Sequence, residues 1–178
     1  QLVAARKDEI IRLKAAREAF MVDSLKAHIA WLDEAVAAAE REIGALINQQ
    51  ADLKAKARLM ASAPGVGPVA AQILLALMPE LGEANPKRLA ALAGLAPFNH
   101  DSGQLKAKRC ISGGRRRVRS ALFIAALHAA RRCPDLKAFA ERIQAQGKPR
   151  KVALIAVARK LLTRLNAMLR DNTIYATL

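Results

Sequence analysis

Ser102 stands in the step Asp101-Ser102-Gly103, and a second hydroxyl, Ser112, directly precedes the pair Gly113-Gly114. Seven cations fall within fourteen residues around them, Lys106, Lys108, Arg109, Arg115, Arg116, Arg117 and Arg119, with no acid in between. Two readings fit these residue types. Asp-Ser-Gly is ordinary turn chemistry, and a run of cations is commonly a solvated face. The sharper reading delivers a hydroxyl to a phosphodiester. Arginines would meet the charge developing on the phosphate, but on these residues alone the turn serine is the plainer reading. His100 is the nearest base in sequence, although a loop histidine is its plainer reading. Asp101 fits a role in positioning the serine loop better than one as a metal ligand.

A second glycine turn, Pro64-Gly65-Val66-Gly67, precedes Pro68 and a run of small and apolar residues. Helix, Gly-apolar-Gly turn and helix is a helix-hairpin-helix pattern. There Gly65 and Gly67 let backbone approach a phosphate, and the next helix offers free N–H groups and its positive dipole end. The alternative is an ordinary turn between two helices. Gly113 and Gly114 repeat the arrangement. Arginines in the helix turn that follows oppose the macrodipole, so an external anion explains them better than helix stability does.

The elements that hold these residues are expected to be helical. Apolar residues make up 53% of the 178 and aromatics only 3%, so the core is mostly Ala, Leu, Ile and Val, which favours close-packed helices. The net charge of +15 is unevenly placed: residues 1–60 hold ten Lys/Arg against nine Asp/Glu, whereas 61–178 hold twenty against six. The basic part calls for a polyanion, by default nucleic acid. An anionic membrane fits less well, because Trp31 is the only Trp and lies outside the basic part. No apolar run is long enough to span a bilayer and no signal peptide is evident, so a cytoplasmic, nucleoid-associated protein is expected. Cys110 and Cys133 read as free thiols, and no His/Cys spacing suits a metal.

Leu25, Ile29, Leu32, Val36, Ala39, Ile43, Leu46, Gln50 and Leu53 alternate spacings of four and three, a heptad seam. A helix over Leu2 to Met21 is expected before it, with Asp23 or Ser24 as the cap of the next. This part is either a hairpin within the chain or a coiled coil between chains. Residues 1–60 are therefore read as a helical arm and 61–178 as a compact basic helical domain. Helices are expected from Pro68 to about Met78, from Asn85-Pro86 to Gly94, after Gly114 to about Arg132, from Pro134 to about Gln146, and from Val152 to Arg170. The final DNTIYATL reads as a frayed tail. The fold class is all-α, with at most a small strand pair near the Ser-Gly loop.

Four segments, PGVGPVAAQILLALMPELG, LAALAGLAPFNHDSG, KRCISGGRRRVRSALFIAALHAAR and GKPRKVALIAVARKLL, occur in this order. In order and spacing they resemble the C-terminal part of transposases of the insertion-sequence one-ten family, the Piv-like DNA recombinases. The resemblance spans nearly the whole chain and is densest over Ala63–Leu162. It implies an enzyme that cuts and rejoins DNA, with Ser102 as nucleophile and Ser112 as its competitor. It implies magnesium held by four acids of an N-terminal RuvC-like domain, and no cofactor in the present residues. It also implies dimers or tetramers built through the helical arm and, in some members, a guide RNA. The sequence contains no strand region bearing four such acids, so the 178 residues are expected to be a fragment that binds nucleic acid without recombining it. From other classes come a non-catalytic helix-hairpin-helix binding module with a dimerising coiled coil, and a basic scaffold that holds RNA alone.

Overall fold

The computed structural model describes residues 1–98 and 110–176. Among these the chain is all-α apart from one pair of two-residue strands. In order come α1 (Leu2–Ala15), α2 (Ala19–Gln49), α3 (Ala51–Ala61), α4 (Pro68–Leu77), α5 (Pro86–Leu92), β1 (Pro97–Phe98), β2 (Cys110–Ile111), α6 (Arg116–Arg132), α7 (Pro134–Ala145) and α8 (Arg150–Asp171). Two compact units meet in sequence at Gln50 and Ala51.

In the first unit α1 and α2 pack as an antiparallel hairpin. The turn is Ala16 to Glu18, with Ala16 and Glu18 extended, so Asp23 and Ser24 lie inside α2 rather than capping it. Pairing across the hairpin sets this register. Arg6 pairs with Asp33, and the buried Glu9 carboxylate takes Arg12 Nη1 at 3.1 Å and His28 Nδ1 at 3.2 Å. The two cross-hairpin pairs flank the Ala16–Glu18 turn, where no glycine or proline announces a reversal. Leu32 of the seam is buried, but α1 is less than half the length of α2. Beyond its reach Ile43 and Leu46 remain 44% and 54% exposed.

The seam breaks at Gln50, whose backbone is extended, and α3 joins the second unit. Met60 is fully buried, and α3 packs on α4 and α8. The compact unit thus begins ten residues before the boundary expected at 60, because burial of α3 outweighs continuity of the heptad. With this division the first unit has seven Lys/Arg against eight Asp/Glu, and the second twenty-three against seven. All of the net positive charge therefore belongs to the second unit.

Its core is built on α8, which runs against α6, α7, α5 and α3. Leu161, Leu162 and Leu165 share this core with Val118, Leu122, Leu136 and Leu89, and alanines at 125, 126, 129, 153 and 158 let the helices approach closely. The punctuation follows local rules: Pro68 opens α4, Asn85 caps α5 by accepting from Arg88 N at 2.9 Å, and Gly94 ends α5 with φ +65°. After α8 the described residues are pinned as far as Tyr175 rather than frayed. Asn172 takes a left-handed turn, Tyr175 N donates to Ser62 Oγ at 3.0 Å, and the Tyr175 hydroxyl accepts from Arg164. Arg164 also pairs with Asp135; burial opposes the Asp135 charge, yet hydrogen bonds from Arg164 and Cys133 hold its carboxyl below the ordinary range.

One buried amide ties the α4–α5 connection to α8. Asn166 Oδ1 accepts from Gly82 N at 2.7 Å, and its Nδ2 donates to Ala84 O at 3.0 Å. Asn166→Leu keeps the volume but strands both backbone groups, so a loss of about 2–4 kcal/mol is expected. A lower urea midpoint at unchanged slope would register it.

Candidate nucleic-acid interface

Strands β1 and β2 pair antiparallel, Pro97 with Ile111 and Phe98 with Cys110. This is the small strand pair expected near the Ser-Gly loop. Ser102, Lys106, Lys108 and Arg109 lie outside the described residues, in the sequence bracketed by that pair. After Ile111 the chain passes partly buried Ser112 into Gly113 and Gly114, both left-handed at φ +64° and +67°.

The two glycines do different work. A Cβ on Gly114 would collide with the backbone of Gly94, so the end of α5 and the start of α6 meet glycine to glycine. Arg115 N then donates to Leu92 O at 2.7 Å, one helix end satisfying the other. Gly113 has open space where a Cβ would stand. Gly114 is a packing glycine, and only Gly113 leaves room for an outside group.

The arginines divide in the same way. Arg115 Nη1 and Nη2 reach Glu80 Oε2 and Oε1, each at 2.6 Å, a bidentate pair within the fold. Arg119 Nη1 donates to Gly113 O at 2.6 Å and holds the glycine turn. Arg116 and Arg117, in the first turn of α6, are exposed and have no ion pair among the described residues. The expectation that the whole arginine turn awaits an external anion therefore narrows to Arg116 and Arg117. Glu80 already supplies the anion for Arg115, and its position 35 residues upstream hid this in the sequence.

Hydrogen bonding from Arg115, joined by a backbone hydrogen bond, lowers the Glu80 carboxyl from 4.5 to about 2. A carboxyl depressed by folding stabilises the fold above its unfolded value, and the contribution fades as pH falls from 4.5 towards 2. The pair is partly exposed, so about 1–2 kcal/mol is the expected scale. Thermal melts should lose stability over that interval in the wild type, with a shallower loss in Glu80→Gln.

The turn before α4 is also mixed. Gly65 has φ +80°, and a Cβ there would strike Ala125 O and lie 2.9 Å from Ala129 N in α6. Its lack of a side chain is needed for helix packing. Gly67 has nothing within 4 Å of a Cβ position and precedes Pro68 as the N-cap of α4, so it still suits approach to a phosphate.

Residues 57–144, from mid-α3 to the end of α7, match the family described as Transposase IS116/IS110/IS902 family. The match takes in the glycine turn, the strand pair, the arginine turn and the Asp101-Ser102-Gly103 step together. The chain belongs to this transposase family. It is 36% identical over 146 residues to the "Pilin gene-inverting protein" of Moraxella bovis, covering 80% of this chain and 45% of that protein. It is 35% identical over 154 residues to the "Insertion element IS900 uncharacterized 42 kDa protein" of Mycobacterium paratuberculosis, covering 83% and 38%. Against the "Insertion element IS110 uncharacterized 43.6 kDa protein" of Streptomyces coelicolor it is 32% identical over 158 residues, covering 87% and 38%. The chain thus spans less than half the length of these relatives.

Among the described residues no three His, Cys, Asp or Glu side chains gather into a metal site. Glu80, Asp135 and Asp171 each pair with an arginine instead. No helix among those residues is long and apolar enough to cross a membrane.

Proposed function

We propose that this chain is the serine-bearing, DNA-binding part of a recombinase that cuts and rejoins DNA through a phosphoserine link. In the step proposed, Ser102 Oγ bonds to phosphorus, the bond from phosphorus to one sugar oxygen breaks, and the serine proton leaves to a base. The freed sugar oxygen takes up a proton, and rejoining runs the same exchange in reverse.

The observation that carries this reading is the join between β2 and α6. The strand pair brackets the sequence containing Ser102 and leads within six residues to Arg116 and Arg117, which are exposed and without ion pairs among the described residues. A hydroxyl brought to those uncommitted guanidinium groups would meet the two needs of the reaction, a nucleophile and stabilisation of the charge on phosphorus. The gene-inverting and insertion-element relatives supply the class of reaction.

Around that centre, Gly67 and Gly113 are proposed as points of close backbone approach to phosphate, with Lys106, Lys108 and Arg109 as further contacts. The uncovered seam at Ile43 and Leu46 is proposed to pair with another copy in a dimer or tetramer. A guide RNA, magnesium held outside these residues, and a place on the nucleoid belong to the same proposal. The 178 residues alone are proposed to bind DNA without recombining it.

The test is a denaturing gel of the protein as its gene encodes it, incubated with duplex element ends, any element RNA and magnesium. A protein–DNA adduct that disappears in Ser102→Ala is the expected result. Recombination without any adduct would point to attack by water and leave the unit as a binding module.

A further inference from the structure

The hairpin of α7 and α8 lies outside the site described above and carries its own concentration of charge. Between Lys137 and Lys160 stand seven cations and a single acid, Glu141. Glu141 lies 4.0 Å from Lys137, leaving the others without a carboxylate among the described residues. Elsewhere in this unit two part-buried arginines have carboxylate partners: Arg115 has Glu80 and Arg164 has Asp135.

The arrangement is focused, not merely basic. Phe139 of α7 is partly buried, and two cations from different helices converge on its ring. Arg142 Cζ stands 5.4 Å from the ring centroid and Lys160 Nζ 4.7 Å. Two like charges gathered on one aromatic ring repel each other, and the ring offsets only part of that cost. Lys148, Arg150 and Lys151 are exposed at the tip of the same hairpin, in and beside the first turn of α8. Cations there again oppose the helix dipole. Two sets of unanswered cations along one hairpin fit a regularly charged rod better than a single small anion.

We propose that the α7–α8 hairpin is a second phosphate-backbone contact for duplex DNA, gripped by Arg142 and Lys160 over Phe139 and by Lys148, Arg150 and Lys151 at the tip. The inference rests on the reading that this unit handles DNA, and adds a surface separate from the α6 turn. It reads no sequence, because its groups would meet phosphate oxygens and not base edges.

The experiment is fluorescence anisotropy of a labelled duplex of arbitrary sequence with the whole chain, over a range of salt concentrations. Each phosphate no longer neutralised lowers the slope of log affinity against log salt by about 0.9, so Arg142→Gln with Lys160→Gln should lower it by about 1.8. Affinity near 0.1 M salt should fall more than about tenfold. The tip triple variant, Lys148→Gln, Arg150→Gln and Lys151→Gln, should lower the slope by about 2.7. Arg142→Lys with Lys160→Arg keeps the charges and should restore the slope. Lys26→Gln with Arg41→Gln, in α2, is the control and should change it little. Melting temperatures of all variants would exclude unfolding as the cause.

An unchanged slope in the hairpin variants, with the wild type binding normally, overturns the surface and leaves the DNA reading standing. A loss no larger than the control's overturns it equally. Loss confined to a structured RNA of the same length makes the partner RNA and overturns the DNA assignment. A wild type that does not bind duplex at all fails the DNA reading and the inference with it.

Discussion

Gly65→Ala is expected to lower the melting temperature of the basic unit by about 10–20 °C, a large effect for one added methyl group. Two costs combine. The backbone at Gly65 is left-handed, φ +80°, where a Cβ costs about 1–2 kcal/mol. The added carbon would also occupy the space of Ala125 O and crowd Ala129 N in the middle of α6. Those atoms belong to a helix packed on α8, so the clash is relieved only by moving a core helix, at a further cost of about 1–3 kcal/mol or more. Against a total stability of about 5–15 kcal/mol this is severe. Gly67→Ala, two residues on, is the built-in control. Its φ is −87° and a Cβ there meets nothing, so a change under about 1 kcal/mol is expected. If backbone at this turn approaches phosphate, Gly67→Ala weakens DNA binding without lowering the melting temperature. Differential scanning calorimetry together with anisotropy separates the two glycines.

Ser102→Ala should abolish the covalent step while leaving DNA binding nearly intact. The substitution removes one oxygen and no charge, and the cations that follow in the sequence are unchanged. Loss of the nucleophile from a reaction that proceeds through it costs at least about a thousandfold in rate. Affinity for duplex should stay within about twofold, because binding is carried by charge, as the salt dependence would report. Ser112→Ala is the companion variant. Ser112 adjoins the Gly113 turn and is already partly buried. If the adduct survives Ser102→Ala and is lost in Ser112→Ala, the nucleophile moves to the start of the glycine turn. If it survives both, the attacking group lies elsewhere in the protein.

The two basic surfaces should respond differently to neutralisation. Arg116 and Arg117 open α6 and are proposed to serve the chemistry, whereas Arg142 and Lys160 sit on a different pair of helices. Neutralising the α6 pair should affect reaction and binding together, because those charges would face the reacting phosphate. Neutralising the hairpin should affect binding alone.

Much of the fold is written in local sequence. Pro68, Asn85-Pro86 and Pro134 open helices, and Gly94 ends one, because each acts through its own backbone geometry or one neighbouring hydrogen bond. The low aromatic and high alanine content predicted an all-α unit with close helix contacts, and the concentration of charge after the first third predicted a polyanion partner. The order of four motifs carried the family. These features need no knowledge of what lies opposite in space.

Other features were decided only by tertiary contacts. Gly65 and Gly67 look alike in PGVGP, yet one is pressed against the backbone of α6 and the other is open. Arg115, Arg116, Arg117 and Arg119 look alike in GGRRRVRS, yet Glu80 claims the first and Gly113 O the last. The heptad continued through Gln50 to Leu53 on paper, but burial of Met60 drew α3 into the basic unit. The turn at Ala16–Glu18 has no turn residue and is fixed by Glu9 with His28 and Arg6 with Asp33 across the hairpin. In each case the sequence supplied the capacity for an interaction, and the distant residue that used it, brought near only by folding, settled which role was taken.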